Sequence, residues 1–241
     1  MALRIGFDLD GVLADMEEAI VREATMLFGP GPSQEPQQPA SQSMADVMPR
    51  ETADDAPLRH ELQLTGRQRR QLWRHIRSID GFWESLNEIE PGSVARLAGM
   101  AENRRWEVIF LTRRPTTAGQ TAQLQSQRWL EKKGFRLPSV YVVTASRGLI
   151  ANGLTLDIVV DDTPENCIDV ASDSKARTIA IFRNQQKLPP PILKRMGIDI
   201  VNSTTQCLDL LAEIDASLAQ PPPSRMERVM RTLGFKEPTS V

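Results

Sequence analysis

The feature that most constrains the fold is a regular alternation of short apolar segments with longer amphipathic ones. Strand-like runs are predicted at 106–111, 140–143, 157–160 and 178–182, with a weaker one at 198–201. Helical patterns fall between them, at 121–133, 146–154, 164–172 and 205–218. Strands that alternate with helices of this length indicate βαβ units, and therefore a doubly wound α/β fold with a parallel, Rossmann-like sheet.

The start of the chain predicts one more strand and a separate helical region. Apolar residues 3–7 end at an acidic pair, Asp8 and Asp10, as a buried strand would. Helical patterns follow at 15–28 and from about residue 65, where arginines fill the polar faces. We expect residues 1–15 and 91–218 to form the α/β core, and residues 16–90 to form a small helical cap inserted after the first strand.

Two segments are expected to lie outside this architecture. Residues 29–57 are rich in Pro, Gln and Ser and cannot bury enough apolar surface to offset their ordering entropy, which predicts a mobile insert in the cap. In residues 219–241, three consecutive prolines predict a stiff spacer. An apolar stripe then predicts an amphipathic helix that docks on the chain's own core or on a partner; its residues are Met226, Val229, Met230 and Leu233.

Composition narrows the classes of function. The chain has 241 residues and a net charge of -2, which does not favour a nucleic-acid polymer as partner. It has no apolar run near the roughly 18 residues of a membrane span, and no signal-peptide pattern at its start. Its two cysteines, Cys167 and Cys207, lack metal-ligand spacing and disulfide density. We expect a cytoplasmic protein without a membrane partner, with homo-oligomers left open and Cys167 a buried structural thiol.

Acidic, hydroxyl and basic residues stand where the predicted strands end. Asp8 and Asp10 follow the first strand, Thr112 the second, Asp161 and Asp162 the fourth, and Arg147 opens the helix after the third. Sites in parallel α/β sheets form outside these carboxyl ends. One carboxylate could attack phosphorus while another moves the proton. Crowded carboxylate oxygens favour Mg²⁺, and a hydroxyl and a guanidinium suit phosphoryl oxygens.

These elements, taken in order, resemble the motifs of the haloacid dehalogenase-like (HAD) hydrolase superfamily. The matching segments are Phe7-Asp8-Leu9-Asp10-Gly11-Val12-Leu13-Ala14-Asp15, Leu111-Thr112-Arg113 and Val159-Val160-Asp161-Asp162-Thr163-Pro164-Glu165-Asn166. Residues 81–86 with Pro91-Gly92, and residues 128–134, are similar to the 5′(3′)-deoxyribonucleotidase-like group. The resemblance implies Mg²⁺-dependent hydrolysis of a small phosphomonoester through an aspartyl-phosphate, with a (deoxy)nucleoside monophosphate as the substrate class.

The resemblance also implies a role for each matching residue. Asp8 would be the nucleophile and a metal ligand. Asp10 would be the acid/base, and its backbone carbonyl would also bind the metal. Thr112 would bind the phosphate. Asp162 matches the usual metal ligand better than Asp161, which is the second candidate.

Three further residues carry weaker signals for catalysis or substrate binding. Arg147 stands where many relatives have Lys, and it brings the same charge on a larger planar head that could bind phosphate. Arg113, like its neighbour Arg114, could reach a substrate phosphate or sugar, or could lie on a solvated loop. Trp83 could stack on a nucleobase, although a large aromatic residue in a short helical segment more often belongs to the core.

Two alternatives stay open. The first is a sugar phosphatase or a phosphotransferase on the same core. The second is a weakly active binding or regulatory module, which Arg147, the Pro-rich insert and the C-terminal stripe motivate. A dehalogenase is disfavoured because Asp10 supplies the acid/base that phosphoryl transfer needs.

Overall fold

The computed structural model describes residues 2–29, 64–183 and 188–219. The strands are β1 (Arg4–Asp8), β2 (Glu107–Thr112), β3 (Ser139–Val142), β4 (Ile158–Asp161), β5 (Arg177–Ile181) and β6 (Asp199–Val201). The helices are α1 (Met16–Phe28), α2 (Gly66–Ser78), α3 (Ser93–Arg104), α4 (Ala122–Lys132), α5 (Arg147–Gly153), α6 (Pro164–Asp173), α7 (Pro191–Arg195) and α8 (Thr204–Ala219). A 3₁₀ turn, Phe82–Glu84, lies between α2 and α3.

The six strands form one sheet in the order β3-β2-β1-β4-β5-β6, and every neighbouring pair is parallel. The predicted doubly wound α/β fold is therefore confirmed. Strand β1 lies in the interior of the sheet, between β2 and β4. The chain moves outward from β1 to β3 and then returns to the other side of β1, so the strand order reverses there. Such a reversal opens a crevice at the carboxyl ends of the strands.

One face of the sheet packs closely on α5 and α6. The buried apolar cluster there consists of Leu111, Ala151, Leu156, Val159, Val170 and Ala176. Gly6, in the middle of β1, faces this cluster, and an added Cβ would lie 2.8 Å from a methyl carbon of Leu156. Gly6 therefore lets the Leu156 side chain, which follows α5, pack directly against the β1 backbone.

The helices between β1 and β2 begin where local capping allows. Asp15 caps α1, its carboxylate accepting a hydrogen bond from the Glu18 amide at 2.9 Å. Thr65 and Gln68 form a reciprocal capping box at the start of α2, which satisfies two amides that a helix start leaves without partners. The two helices contact each other, with 3.0 Å between His75 Nε2 and a Glu23 carboxylate oxygen. The predicted insert, apart from Gly29, lies outside the described residues.

Between β5 and β6 the structure contains a helix that was not predicted. Helix α7 has five residues and begins at Pro191, in a run of prolines that we had not assigned to any element. Proline is well tolerated at the first position of a helix, because the amide it lacks would have no helical partner there.

By its contacts the chain divides into two compact units, Met1–Cys207 and Leu208–Val241. The described residues of the second unit, 208–219, belong to helix α8. The predicted spacer and amphipathic helix beyond residue 219 lie outside the described part of the chain. No described helix is both long enough and apolar enough to cross a membrane.

Candidate active site

Three of the predicted site residues lie at the carboxyl ends of three adjacent strands. Asp8, Thr112 and Asp161 are the last residues of β1, β2 and β4. The register places Asp8 beside Leu111, and Phe7 beside Val160, so the three strands end at nearly the same level. The site therefore depends on β1 lying between β2 and β4.

Asp8 lies in a crowded and buried position against Arg147. The Arg147 Nη2 atom donates a hydrogen bond to an Asp8 carboxylate oxygen at 2.7 Å. Burial, and after it the nearby carboxylates of Asp161, Asp162 and Asp10, raise the pKa of Asp8 well above its usual value, and Arg147 opposes this rise only in part. One guanidinium is thus not enough to offset this concentration of negative charge.

Arg147 itself is only partly satisfied by the protein. Its Nε atom lies 3.7 Å from an Asp161 carboxylate oxygen, and its Nη1 atom is buried without a hydrogen-bond partner among the described residues. A buried donor without a partner costs free energy, on the order of 1–3 kcal/mol. This cost is removed if an anionic oxygen binds next to Asp8.

Asp10 is held by a second arginine, Arg114. The Nε and Nη2 atoms of Arg114 donate to the Asp10 carboxylate, with a shortest distance of 2.7 Å. The Thr112 hydroxyl donates to the same carboxylate at 2.9 Å. The remaining Nη1 atom of Arg114 donates to the Ser126 hydroxyl at 2.8 Å, and the arginine side chain is fully buried. Arg114 therefore fixes the orientation of Asp10 from behind.

Trp83 contributes to the site differently from the prediction. Its ring is fully buried and lies 5.0 Å below the Arg114 guanidinium, in cation-π geometry. The indole N–H donates to the Pro115 carbonyl at 3.0 Å. Trp83 has no exposed face for a base, so the stacking role is not supported, and the structure places it in the core that supports Arg114.

The two arginines after Thr112 also differ from the prediction. Arg113, which was assigned to substrate binding, is exposed and forms no hydrogen bond or ion pair with the other site residues. Arg114 points inward instead. Side chains two residues apart on an extended backbone point to the same side, so Thr112 and Arg114 share a direction that Arg113 does not. This alternation was the signal in the sequence that could have identified Arg114.

The two acidic residues after β4 occupy different environments. Asp161 accepts hydrogen bonds from the Thr163 amide at 2.8 Å and from the Asn166 side chain at 3.0 and 3.2 Å. These bonds turn Asp161 toward the start of α6. Asp162 is buried against Gly11, where an added Cβ would lie 1.7 Å from an Asp162 carboxylate oxygen. Gly11 also has a φ of 81°, a backbone conformation that other residues rarely adopt.

The donor set is compatible with Mg²⁺. Within the described ranges, no group of three or more His, Cys, Asp or Glu side chains forms a metal cluster. Mg²⁺ needs fewer, because it usually keeps several waters and takes one or two carboxylates. Asp8 and Asp162, with the backbone carbonyl of Asp10, provide oxygen atoms only. Burial and, next, the neighbouring carboxylates raise the pKa of Asp8, and a divalent cation would relieve the repulsion between those carboxylates.

A further arginine, which sequence analysis did not identify, supports the loop after Asp10. Arg183 donates to the backbone carbonyls of Gly11 and Val12, the latter at 3.1 Å. It also donates to Glu90 at 3.2 Å and to the Thr204 hydroxyl at 2.7 Å. No sequence motif marks this residue, because its partners come from three distant parts of the chain.

Comparison with known proteins finds similarity in structure only. No known family and no characterised protein matches the sequence. One similar structure is a HAD-family hydrolase from Deinococcus radiodurans R1, solved with bound phosphate and sodium. It shares 13% sequence identity with this chain at a TM-score of 0.54, and the match covers 92% of this chain and 99% of the hydrolase. A Thermotoga maritima protein assigned as a β-phosphoglucomutase shares 20% identity at a TM-score of 0.51, covering 88% and 99%.

These similarities concern the fold. The chain has the α/β fold of haloacid dehalogenase-like hydrolases, over nearly the full length of both proteins. The activity must be argued from the chain's own residues, because one fold supports many functions.

Proposed function

We propose that this protein is a Mg²⁺-dependent phosphomonoester hydrolase that acts through an aspartyl-phosphate on Asp8. The observation that carries the proposal is the meeting of Asp8, Asp10, Thr112, Arg147 and Asp162 at the carboxyl ends of the central strands. A nucleophile, a proton carrier, two phosphate-binding groups and a metal ligand then lie in one crevice.

In the first half of the reaction, an oxygen of Asp8 attacks the substrate phosphorus and the bond to the leaving oxygen breaks. Asp10, in its protonated form, donates its proton to that leaving oxygen, so a neutral alcohol departs. Arg147 provides positive charge on the side of Asp8 and a free Nη1 donor for a phosphoryl oxygen. Thr112 provides a hydroxyl that now donates to Asp10. A bound phosphoryl oxygen would compete with Asp10 for this hydrogen bond.

In the second half, water attacks the phosphorus of the aspartyl-phosphate and Asp10 accepts its proton. The carboxylate of Asp8 is regenerated and inorganic phosphate leaves. The contacts from Arg114 and Thr112 hold Asp10 as a hydrogen-bond acceptor, which is the form this step requires. Arg114 belongs to the site by this argument, as the residue that orients the base.

Asp8, Asp162 and the carbonyl of Asp10 would hold the Mg²⁺. When bound, the ion would screen the charge of the phosphoryl group from the attacking carboxylate. Residues 16–90 would form the cap that limits the access of bulk water, over a core of residues 1–15 and 91–218. The subgroup resemblance in residues 81–86 and 128–134 supports a nucleoside monophosphate as substrate.

A sugar phosphate is the second candidate substrate, for hydrolysis or for phosphoryl transfer. The observation that favours it is the burial of Trp83, which removes the aromatic surface expected to bind a base. The distinction concerns specificity, since both substrates would use the same residues around Asp8.

The test is phosphate release from a panel of nucleoside monophosphates and sugar phosphates, with Mg²⁺ and with EDTA. Asp10→Asn serves as the control, because it keeps the shape of the side chain and removes the proton transfer. We expect release that requires Mg²⁺ and is lost in the variant. A folded protein that binds Mg²⁺ but releases no phosphate from any substrate would overturn the proposal in favour of a binding or regulatory module.

A further inference from the structure

Ser146 and Gly148, the two neighbours of Arg147 in the chain, are held by one carboxylate. Asp169, on helix α6, accepts a hydrogen bond from the Ser146 hydroxyl at 2.8 Å and from the Gly148 amide at 3.1 Å. Both bonds go to the same Asp169 oxygen. The Ser146 hydroxyl in turn accepts a bond from the Leu149 amide at 3.1 Å, which caps the start of α5.

The packing of α5 on α6 makes this contact possible. An added Cβ at Gly148 would lie 2.3 Å from the Asp169 carbonyl oxygen and 2.7 Å from Asp173 Cβ. No other residue would fit there without separating the helices. Gly148 therefore brings the backbone around Arg147 within reach of the Asp169 side chain.

Helix α6 also begins just after the two acidic residues at the end of β4. Asp161 and Asp162 precede its first residue, Pro164, and Asp161 accepts hydrogen bonds from Thr163 and Asn166, which link the strand to the helix. Helix α6 thus holds Asp161 at its start and the backbone around Arg147 about one and a half turns later, through Asp169.

We propose that Asp169 is a positioning residue that sets the plane of the Arg147 guanidinium for phosphate binding. This inference rests on the proposed function of the site. A guanidinium is a planar fork whose donors point in fixed directions, so its use depends on the position of its backbone. Arg147 must give Nη2 to Asp8 while Nη1 faces an incoming phosphoryl oxygen. An ammonium group would not need this orientation, because its charge is compact and its donors rotate.

The test compares Asp169→Ala with Asp169→Asn, which keeps an oxygen that can accept both bonds. Asp173→Ala is the matched control, because it removes an exposed carboxylate from the same helix. The first measurement is the dissociation constant of inorganic phosphate in the presence of Mg²⁺. We expect about a 10-fold increase for Asp169→Ala, the size typical for loss of a supporting contact behind a ligand. Asp169→Asn and Asp173→Ala should stay within about twofold.

The Arg147→Lys background separates positioning from a general structural role. In that background we expect Asp169→Ala to change the phosphate dissociation constant by less than about twofold, since no planar group remains to be oriented. An equal loss in both backgrounds would overturn the proposal. So would an unchanged dissociation constant for Asp169→Ala in the protein that keeps Arg147.

A second measurement does not depend on activity or on phosphate. The ¹⁵Nε–Hε NMR signal of Arg147, assigned by its loss in Arg147→Lys, should exchange faster with solvent in Asp169→Ala and be retained in Asp169→Asn. If the wild-type protein neither binds nor releases phosphate, the proposed function fails, and this signal still decides the role of Asp169. If Asp169→Ala does not fold, Ser146→Ala removes one of the two bonds and should shift both readouts in the same direction. No shift in that variant would overturn the proposal.

Discussion

Two buried arginine–aspartate pairs at the same end of the sheet differ in how fully they are satisfied. Arg114 uses Nε and Nη2 on Asp10 and Nη1 on Ser126, and its guanidinium lies over a tryptophan ring. Arg147 makes one hydrogen bond to Asp8 and keeps a buried Nη1 without a partner among the described residues.

The difference indicates a division of labour. All three nitrogen atoms of the Arg114 guanidinium already donate to protein groups, so they are poorly available to a ligand. Arg114 is therefore suited to hold Asp10 in place. Arg147 keeps an available donor next to Asp8, the proposed nucleophile, so it is suited to share its charge with an incoming anion. Under the proposed function, Arg114 would act by holding Asp10 in place and Arg147 by binding the substrate phosphate.

The largest expected effect tests the Asp8 side of the comparison. Asp8→Asn keeps the shape of the side chain and removes the nucleophile, so we expect turnover to fall by at least about 10³-fold. Near-UV circular dichroism should show that the variant remains folded. Asp173→Asn, on an exposed side chain, is the control. Retained turnover in Asp8→Asn would remove the nucleophile assignment.

The next effect tests whether Arg114 is structural in the sense proposed. Arg114→Lys keeps the charge but cannot make the two-pronged contact with Asp10 or the contact with Ser126. We expect a loss of about 2–3 kcal/mol in the free energy of unfolding and about 10²-fold in kcat. Urea denaturation and steady-state kinetics measure both. The exposed neighbour provides the control: Arg113→Lys should change the free energy of unfolding by less than about 0.5 kcal/mol.

A smaller effect is expected on the Arg147 side. Arg147→Lys keeps a positive charge next to Asp8 and loses only the planar fork, so we expect a three- to tenfold fall in kcat/KM, of order 1 kcal/mol in transition-state binding. Its free energy of unfolding should change less than that of Arg114→Lys. A larger stability loss in Arg147→Lys than in Arg114→Lys would contradict the division of labour between the two arginines.

The smallest effect concerns stability and pH in the protein without Mg²⁺. Because the pKa of Asp8 is raised in the folded state, the folded protein binds more protons than the unfolded chain between about pH 4 and that raised pKa. The free energy of unfolding should therefore fall as pH rises through this window, by at most about 1.4 kcal/mol per pH unit. Urea denaturation in EDTA from pH 4 upward measures the slope. Asp8→Asn should reduce it, and an unchanged slope would place the titrating group elsewhere.

Much of the fold follows from local sequence patterns. All six strands and most helices of the described chain lie within about two residues of their predicted positions. Each is a short run of apolar or amphipathic residues whose ends are marked in the local sequence. Helix α7 was missed because its five residues are too few to show a period. The burial of Cys167, which lies on a predicted helix, is confirmed.

The candidate site could be predicted to the level of strand ends and no further. Asp8, Thr112 and Asp161 were found because polar residues after buried strands are conspicuous in a sequence. That Arg114, and not Arg113, contacts Asp10 depends on which side of the extended chain after Thr112 faces the protein interior. The roles of Arg183 and Asp169 depend on contacts between segments that are far apart in the chain or on different helices.

The sequence by itself determined the alternation of strands and helices and the chemical types that stand at the strand ends, because both are properties of short segments. Only the tertiary structure decided which donors remain available. The order of the strands placed Asp8 between Thr112, at the end of β2, and Asp161, at the end of β4. The close contact of α5 with α6 at Gly148 placed Asp169 behind Arg147. Whether a buried charge is satisfied or kept in reserve depends on every group around it, and those groups come from the whole chain.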